Sequence, residues 1–360
     1  MPTIWELSPH TKAKHDLLRK YLGGWFPILS RWDKKTIFLD AFAGPGIYAN
    51  GEPGSPRLAL ETMLDHRHFK NMTATEFVFL FNEKDPARYG SLKKVVADIE
   101  AERGGWPSNV RVIVETMNFV DLADEMLASL SGERMAPIFA FVDPFGYRDV
   151  PLDKIRAITQ YDKAELFIYF DYNSANRFST SGKVDQAFRA LYGTDEFKNA
   201  PSAGRHARGQ FLHDLYATQL ENECSFRFVR SFEMINARGR TNNYLFYGTR
   251  HLKGLALMKE AMWDIAPGGD YSFSDLTAGQ PMLMSPDANT SPLMDDLAAQ
   301  FSGRSVDYQA IEDYVVEFTH FAPSHIKTQT LKPMQEAGRF TVTGQRRRGT
   351  FPPQVQITFP

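Results

Sequence analysis

"IFLDAFAGPGIY", residues 37–48, joins an apolar run to a single acid, Asp40, and then to a turn holding Gly44, Pro45 and Gly46. An apolar segment that does not alternate with polar residues is a strand covered on both faces. Others of the same kind follow: "EFVFLFNE", "VRVIVE", "PIFAFVDP" and "AELFIYFDY". Between them lie the helical patterns "SPRLALETML", "ARYGSLKKVVADIEAE", "FVDLADEMLASL" and "LDKIRAIT". This alternation predicts an α/β fold with a parallel, doubly wound sheet. Ahead of it, Leu17, Leu18, Tyr21, Leu22 and Trp25 recur at helical spacing and predict an N-terminal helix. Further on, "FRFVRSFEMIN" and "TNNYLFYGTR" leave no room for a crossover helix and are expected to pair as an antiparallel edge, with "GLALMKEAMWDI" a helix after them.

The chain has 360 residues, 43% of them hydrophobic, which suits one large domain and a smaller one. The expected division is a domain over 1–270, a linker over 271–296 rich in Gly, Pro, Ser and Asp, and a compact segment over 297–360. A formal net charge of -2 excludes a chain coated in positive charge, so any nucleic-acid contact has to come from a local patch. The only cysteine is Cys224, which excludes a disulfide framework and a thiolate or iron–sulfur site. In "ENECSFRF" it reads as a buried structural thiol rather than a nucleophile. No signal-peptide h-region and no membrane-spanning apolar run is present, so a soluble cytoplasmic protein without membrane contact is expected.

In an open parallel sheet, ligands bind beyond the carboxyl ends of the strands, where the chain direction switches. Phe42, Ala43, Gly44 and Gly46 would let a ligand approach the backbone closely there, and Asp40 could anchor a polar group. The turn lacks G-x-G-x-x-G, because "IYANGEPGSP" delays the next helix, and there is no G-K-[ST]. A phosphate-cradling loop and a nicotinamide-dependent oxidoreductase are both disfavoured. The stretch instead resembles the first motif of class I S-adenosylmethionine-dependent methyltransferases, which have a Rossmann-like sheet. That resemblance implies a turn packed against the methionine part of S-adenosylmethionine. It also implies an acid holding the ribose hydroxyls at the end of the second strand, here Glu83. A polar group near the adenine, here Asn118 with Phe119 as a stacking neighbour, completes the set. The plain alternative is a tight strand–helix connection whose glycines serve only the backbone.

The fourth strand ends Asp143-Pro144-Phe145-Gly146-Tyr147. It is similar to the [DNS]-P-P-[YFW] motif of amino-directed methyltransferases. An exocyclic amine is a poor nucleophile because its lone pair is delocalised into the ring. An acidic or amide side chain and a free backbone carbonyl hold it, and an aromatic stacks on the extruded base. Here Phe145 replaces the second proline and Gly146 the aromatic, so Phe145 or Tyr147 is the candidate stacking ring. Asp143, Pro144, Phe145 and Tyr147 are the candidate catalytic residues, against the alternative of a D-P turn closing a buried strand. Asn173, Asn176 and Arg177 are further polar groups expected at the same rim. In "HTKAKH", Lys12, Lys14 and His15 read as the solvated face of an amphipathic helix, with placement over the pocket mouth as the alternative.

The last sixty or so residues read as a winged helix-turn-helix. Ile311, Val315 and Phe318 stripe one helix, "PSHIKTQTLKPMQEAG" follows, and "RFTVTG" with "VQITF" forms a hairpin around a basic tip. His325, Lys327, Thr328 and Lys332 fall on the recognition segment, and Arg346, Arg347 and Arg348 on the wing. These cations suit DNA or RNA phosphates, while docking on protein is the alternative. Taken with "PHTKAKHDLLRKYLGGWFPIL", "FLDAFAGPGIYANGEPGSPRLAL", "FVDPFGY" and "NNYLFYGTRHLKGLALMKEAMW", this ending makes the chain resemble the three-Cys-motif partner (TcmP) family. The resemblance implies a partner with a three-cysteine motif, similar to radical S-adenosylmethionine enzymes. It leaves two functions open: a nucleic-acid methyltransferase, or a non-catalytic nucleic-acid-binding accessory that recruits that partner.

Overall fold

The computed structural model describes residue 4 and residues 6–130, 134–179, 184–202, 204–275 and 288–360. They divide into two compact units, one running from residue 4 to 251 with 273–275, the other over 252–272 with 288–360.

The first unit begins with helix α1 (Pro9–Leu29), which Ser8 caps by accepting from the Thr11 N–H at 3.2 Å. The strands are β1 (Lys35–Asp40), β2 (Glu76–Asn82), β3 (Val110–Glu115), β4 (Ile138–Val142) and β5 (Ala164–Phe170). Between them run α2 (Ser55–Leu64), α3 (Pro86–Glu102), α4 (Phe119–Ser129) and α5 (Leu152–Thr159). Then follow α6 (Tyr172–Phe178), α7 (Asp185–Tyr192), α8 (Arg205–Asn222), β6 (Phe228–Ile235), β7 (Thr241–Thr249) and β8 (Ser272–Ser274). The sheet order is β3-β2-β1-β4-β5-β7-β6-β8. β1 to β5 are parallel, and β7 runs antiparallel to both β5 and β6. The mixed α/β architecture with a parallel-dominated sheet agrees with the apolar strand runs. The expected hairpin of β6 and β7 is there, but β7 inserts between β5 and β6. The crossover through α6, α7 and α8 carries the chain past the vacant position, and β7 then fills it.

Side-chain parity decides what faces α1, because every second residue of a strand lies on one face. Phe38, Phe139 and Phe167 form that face under Tyr21, Trp25 and Phe26 of α1 and are all almost fully buried. Two residues further toward the carboxyl ends, the same parity brings Asp40 and Phe141, and then Asp143. On β5 it gives Glu165, Phe167 and Tyr169, and on β7 Asn243, Leu245 and Tyr247, in the register Phe167–Tyr247 and Tyr169–Leu245. The opposite face packs Leu39, Ala140, Leu166 and Ile168 against Phe119, Leu122, Ile155, Leu212 and Tyr216 of α4, α5 and α8. The buried acid Glu165 is part of the α1 contact: it accepts from Tyr21 Oη at 2.7 Å and from Thr249 Oγ1 at 3.2 Å. Cys224 is buried, and burial pushes its thiol up to about 12, which keeps it from acting as a thiolate.

The second unit begins at α9 (Leu252–Ile265), which the sequence reading assigned to the first domain. Its fully buried Lys259 donates from Nζ to the carbonyls of Val315, Val316 and Thr319, and Trp263 Nε1 donates to His320 O at 2.8 Å. These contacts, invisible in a helical pattern, place it with the C-terminal segment. The unit continues through α10 (Ser291–Gln300), β9 (Ser305–Asp307) and α11 (Tyr308–Phe318). A π-helical stretch (Ile326–Leu331), α12 (Lys332–Glu336), β10 (Thr341–Thr343) and β11 (Gln356–Thr358) complete it. The last strands form an antiparallel sheet in the order β10-β11-β9. The π-helical stretch has a local cause. Pro333 has no N–H to give the Gln329 carbonyl, which instead accepts from Thr290 Oγ1 at 2.6 Å. Residues 276–287 of the expected 271–296 linker lie outside the described residues, whereas 272–274 are strand and α10 begins at Ser291.

Candidate functional site

The site lies at the carboxyl ends of β1 and β4, where parallel connections leave in opposite directions, the place such sheets offer to ligands. A cavity of about 700 Å³ opens there, lined by the β1 turn, the β4 end, the N-terminal turn of α1 and the facing ends of β5 and β7.

The β1 turn keeps its backbone open by chirality and crowding. Gly44 and Gly46 have φ of 62° and 78°, a left-handed region that other residues enter only at a cost. The loop after them is closed by an Ile47–Pro53 bridge, and Gly54 N donates to Gly46 O at 3.0 Å. A Cβ on Gly54 would lie 2.8 Å from the Gly46 carbonyl carbon, so this residue has to be glycine. The turn is tied to β2 by Ala43 N donating to Asn82 O at 2.8 Å. Asn82 itself, buried, joins three strand ends. Its Nδ2 donates to Ala41 O and Met117 O, and its Oδ1 accepts from Met117 N. The sequence reading missed Asn82. The signal was a polar residue ending a wholly apolar strand, one position before the acid that was chosen.

Phe42, Ala43, Gly44 and Gly46 line the cavity. Asp40 lies behind them, fully buried. One oxygen accepts from Phe42 N at 3.3 Å, while Oδ2 has no hydrogen-bond partner among the described residues. Burial pushes this carboxyl up to about 7, against relief from the Ser55 hydroxyl, with nearby Asp143 adding to the rise. Glu83 follows the end of β2 and is buried. Its Oε1 accepts from Asp85 N at 2.8 Å, and its other oxygen makes no hydrogen bond among the described residues. Asn118 is exposed and caps α4, accepting from Asp121 N at 3.0 Å and donating to Asp121 Oδ2 at 2.5 Å. Phe119 is buried and stacks on Phe42 in the core, so it is not a free stacking ring.

Across the cavity stand Asp143, Pro144, Phe145 and Tyr147. Gly146, at φ 100°, turns the chain so that the two aromatics diverge. Phe145 is 53% exposed at the mouth, with the Arg88 guanidinium 5.0 Å from its ring centre. Tyr147 is 8% exposed and packs on Phe188 at 5.1 Å, so the aromatic exposed at the mouth is Phe145 and not Tyr147.

Lys14 departs furthest from expectation. The solvated-face reading holds for Lys12, which is exposed and pairs with Asp16, but Lys14 and His15 are buried. Lys14 forms an ion pair with Asp143 inside the cavity, and its Nζ lies 5.4 Å from the Tyr169 ring centre. Burial, together with the Lys14, Arg19 and Lys12 charges, lowers His15 to about 3, leaving it neutral. Tyr169 and Asn243 line the same side. Neither residue was anticipated, although the parity of Tyr169 with Phe167 was readable. Asn173 pairs with Asn242 at 2.9 Å. Asn176 is buried under Arg208, and the Arg177 guanidinium lies on the Phe178 ring.

In the second unit, Lys327, Thr328, Lys332, Arg346, Arg347 and Arg348 are all exposed. Lys327 lies over the Tyr308 ring at 4.3 Å, and Arg348 donates to Gln335 O at 3.3 Å. His325 is not a readout residue. It is buried against Trp263 at 4.3 Å and accepts from Ala322 N through Nδ1.

No known family profile matches the chain, and no curated protein does. Among solved structures, the chain is similar to human methyltransferase-like protein 13 in complex with SAH. The identity is 12% over 71% of this chain and 92% of that one, with a TM-score of 0.35. It is also similar to geranyl diphosphate methyltransferase in complex with GPP and sinefungin. There the identity is 12% over 63% of this chain and 78% of that one, with a TM-score of 0.26. Among the described residues no helix is long and apolar enough to cross a membrane.

Proposed function

We propose that the chain is an S-adenosylmethionine-dependent methyltransferase acting on a nucleic acid. The observation that carries this is a glycine-opened β1 turn facing Asp143-Pro144 across one cavity of about 700 Å³, within the usual size of a cofactor site. Reversal of β7 within the sheet also sets it apart from the dinucleotide-binding order 3-2-1-4-5-6.

The residues present fit such a cofactor. Phe42, Ala43, Gly44 and Gly46 leave backbone surface for its methionine part. Glu83, buried at the end of β2 and outside the cavity lining, would reach ribose hydroxyls only through the oxygen that makes no hydrogen bond among the described residues, and Asp40 backs the turn with a buried carboxyl. When bound, S-adenosylmethionine supplies an electrophilic methyl group. Asp143 holds the acceptor nitrogen together with the second lone pair of the Pro144 carbonyl, whose first accepts from Gly146 N at 3.0 Å, and Phe145 packs on the acceptor ring. Asn118, engaged in its cap, has no evident part in adenine binding.

The C-terminal unit supports the nucleic-acid part of the reading. Its three-stranded sheet, its helices and the exposed cations at 327, 332 and 346–348 have the composition of a winged helix whose recognition segment and wing meet phosphates. The partnership with a three-cysteine-motif protein in the cytoplasm rests on the family resemblance. Phe145 and Gly146 in place of a second proline and an aromatic favour the second reading, a nucleic-acid-binding accessory that binds the cofactor without turnover. Tritium transfer from labelled S-adenosylmethionine to mixed DNA and RNA separates the two. The first reading requires transfer that Asp143→Ala abolishes, and the second requires none.

A further inference from the structure

α1 is the third wall of the acceptor side, and its register places a charge there. Tyr21 Oη donates to Glu165 of β5. One heptad earlier on the same helix face, about 10 Å along the axis, is Lys14. Four residues further along β5, about 13 Å, is Tyr169, over which the Lys14 ammonium lies. A helix running against the strand direction and fixed at Tyr21–Glu165 therefore delivers Lys14 to Tyr169 and Asp143. The ammonium is 9% exposed at the side chain, and the Asp143 carboxylate it pairs with is 24% exposed, open to the cavity.

We propose that Lys14 is a specificity-determining residue: by neutralising Asp143 inside the cavity, it makes the acceptor subsite select a neutral N–H donor on a flat ring over a cationic amine. This rests on reading the Asp143 side as the acceptor subsite. The carboxylate still has an oxygen to accept a hydrogen bond, but its charge is already matched, so a second cation finds no net attraction and an ammonium neighbour. The other carboxylates lining the cavity, Asp149 and Asp171, are matched in number by the cations Lys84 and Arg148. Asp171 accepts from Ser174 N as the cap of α6, Asp149 pairs with Lys84, and Arg148 lies by the Tyr147 ring. His10 Nε2 donates to Ile235 O at 2.9 Å and lies 3.2 Å from Asp275 Oδ1. Asn243 and Tyr169, both lining the cavity, add neutral polar groups suited to the edge of an uncharged heterocycle.

The test compares 1-methylcytosine, a neutral amine on a flat ring, with benzylamine, a cationic one. Binding to full-length protein is measured by ligand-observed NMR with and without S-adenosylhomocysteine. Wild type should prefer 1-methylcytosine. Lys14→Met, close in shape but uncharged, should shift the preference toward benzylamine by tenfold or more, and Lys14→Arg should keep the wild-type order. An unchanged ratio in a Lys14→Met protein with a wild-type circular-dichroism spectrum overturns the proposal, as does wild type that binds neither probe. Calorimetry with S-adenosylmethionine on the same samples keeps the two claims apart. A Lys14-dependent ratio without cofactor binding supports charge selection and overturns the methyltransferase reading. Cofactor binding with a Lys14-independent ratio overturns only the role of Lys14.

Discussion

Asp40→Asn should change how the stability of the first unit depends on pH. Asp40 is fully buried, its Oδ2 has no hydrogen-bond partner among the described residues, and burial pushes its carboxyl from 3.8 up to about 7 in the fold. Between those values the folded state holds a proton that the unfolded state has lost, so stability falls as pH rises through the window. The difference corresponds to about 4 kcal/mol, present as a loss in wild type at pH 8 and reduced to about 0.6 kcal/mol at pH 4. The variant removes that loss. Its carboxamide N–H leaves an unpartnered buried donor, but so does the protonated wild-type carboxyl, and Oδ1 can still accept from Phe42 N. The two proteins should therefore be about equally stable at pH 4, and the variant about 2–4 kcal/mol more stable at pH 8. Glu165, raised by burial from 4.5 to about 7, has the same sign but is common to both and cancels. The assay is urea-dependent hydrogen exchange of the β1 and β4 amides in ligand-free protein from pH 4 to 8. This reads the first unit without the transition of the second. Parallel pH curves for the two proteins would refute the reasoning.

Other outcomes follow from the same geometry. Gly46→Val would force a β-branched residue to φ 78° and bring its Cβ within 3.2–3.3 Å of Leu92 and Val95. Calorimetry should show at least a tenfold loss of S-adenosylmethionine affinity. Phe145→Ala should lower turnover on nucleic acid by roughly 5- to 150-fold, the worth of one stacking contact, without lowering the melting temperature, because the ring is 53% exposed. Tyr147→Ala should instead destabilise the first unit by about 3–5 kcal/mol through its contact with Phe188. Replacing Arg346, Arg347 and Arg348 together by alanine should weaken nucleic-acid binding and flatten its log–log salt slope by about 2–3. An unchanged slope in filter binding would assign that edge to protein docking.

The parallel strands were legible because each is apolar on both faces, as "IFAFV" of β4 shows. The glycine turn was legible because its left-handed angles demand glycine. What stayed hidden depends on tertiary choices. The "KAKH" segment looks like a solvated helix face, and only the docking of Tyr21 onto Glu165 turns Lys14 inward. His325 sits in a basic, polar stretch, yet Trp263, over sixty residues earlier, covers it. The place of β7 is set by pairing Phe167 with Tyr247 across eighty residues, which no local pattern encodes. Asn118 matched an expected position in the order of strands, but a residue just before a helix is also where a cap belongs, and the cap took it.

The central claim is that the cavity between the β1 turn and Asp143 takes S-adenosylmethionine. Calorimetric titration of the full-length protein tests it most directly. The account predicts saturable binding of one equivalent per chain, weakened at least tenfold by Asp40→Ala and by Gly46→Val in proteins that remain folded. No heat of binding in wild type, or equal affinity in all three proteins, would contradict it.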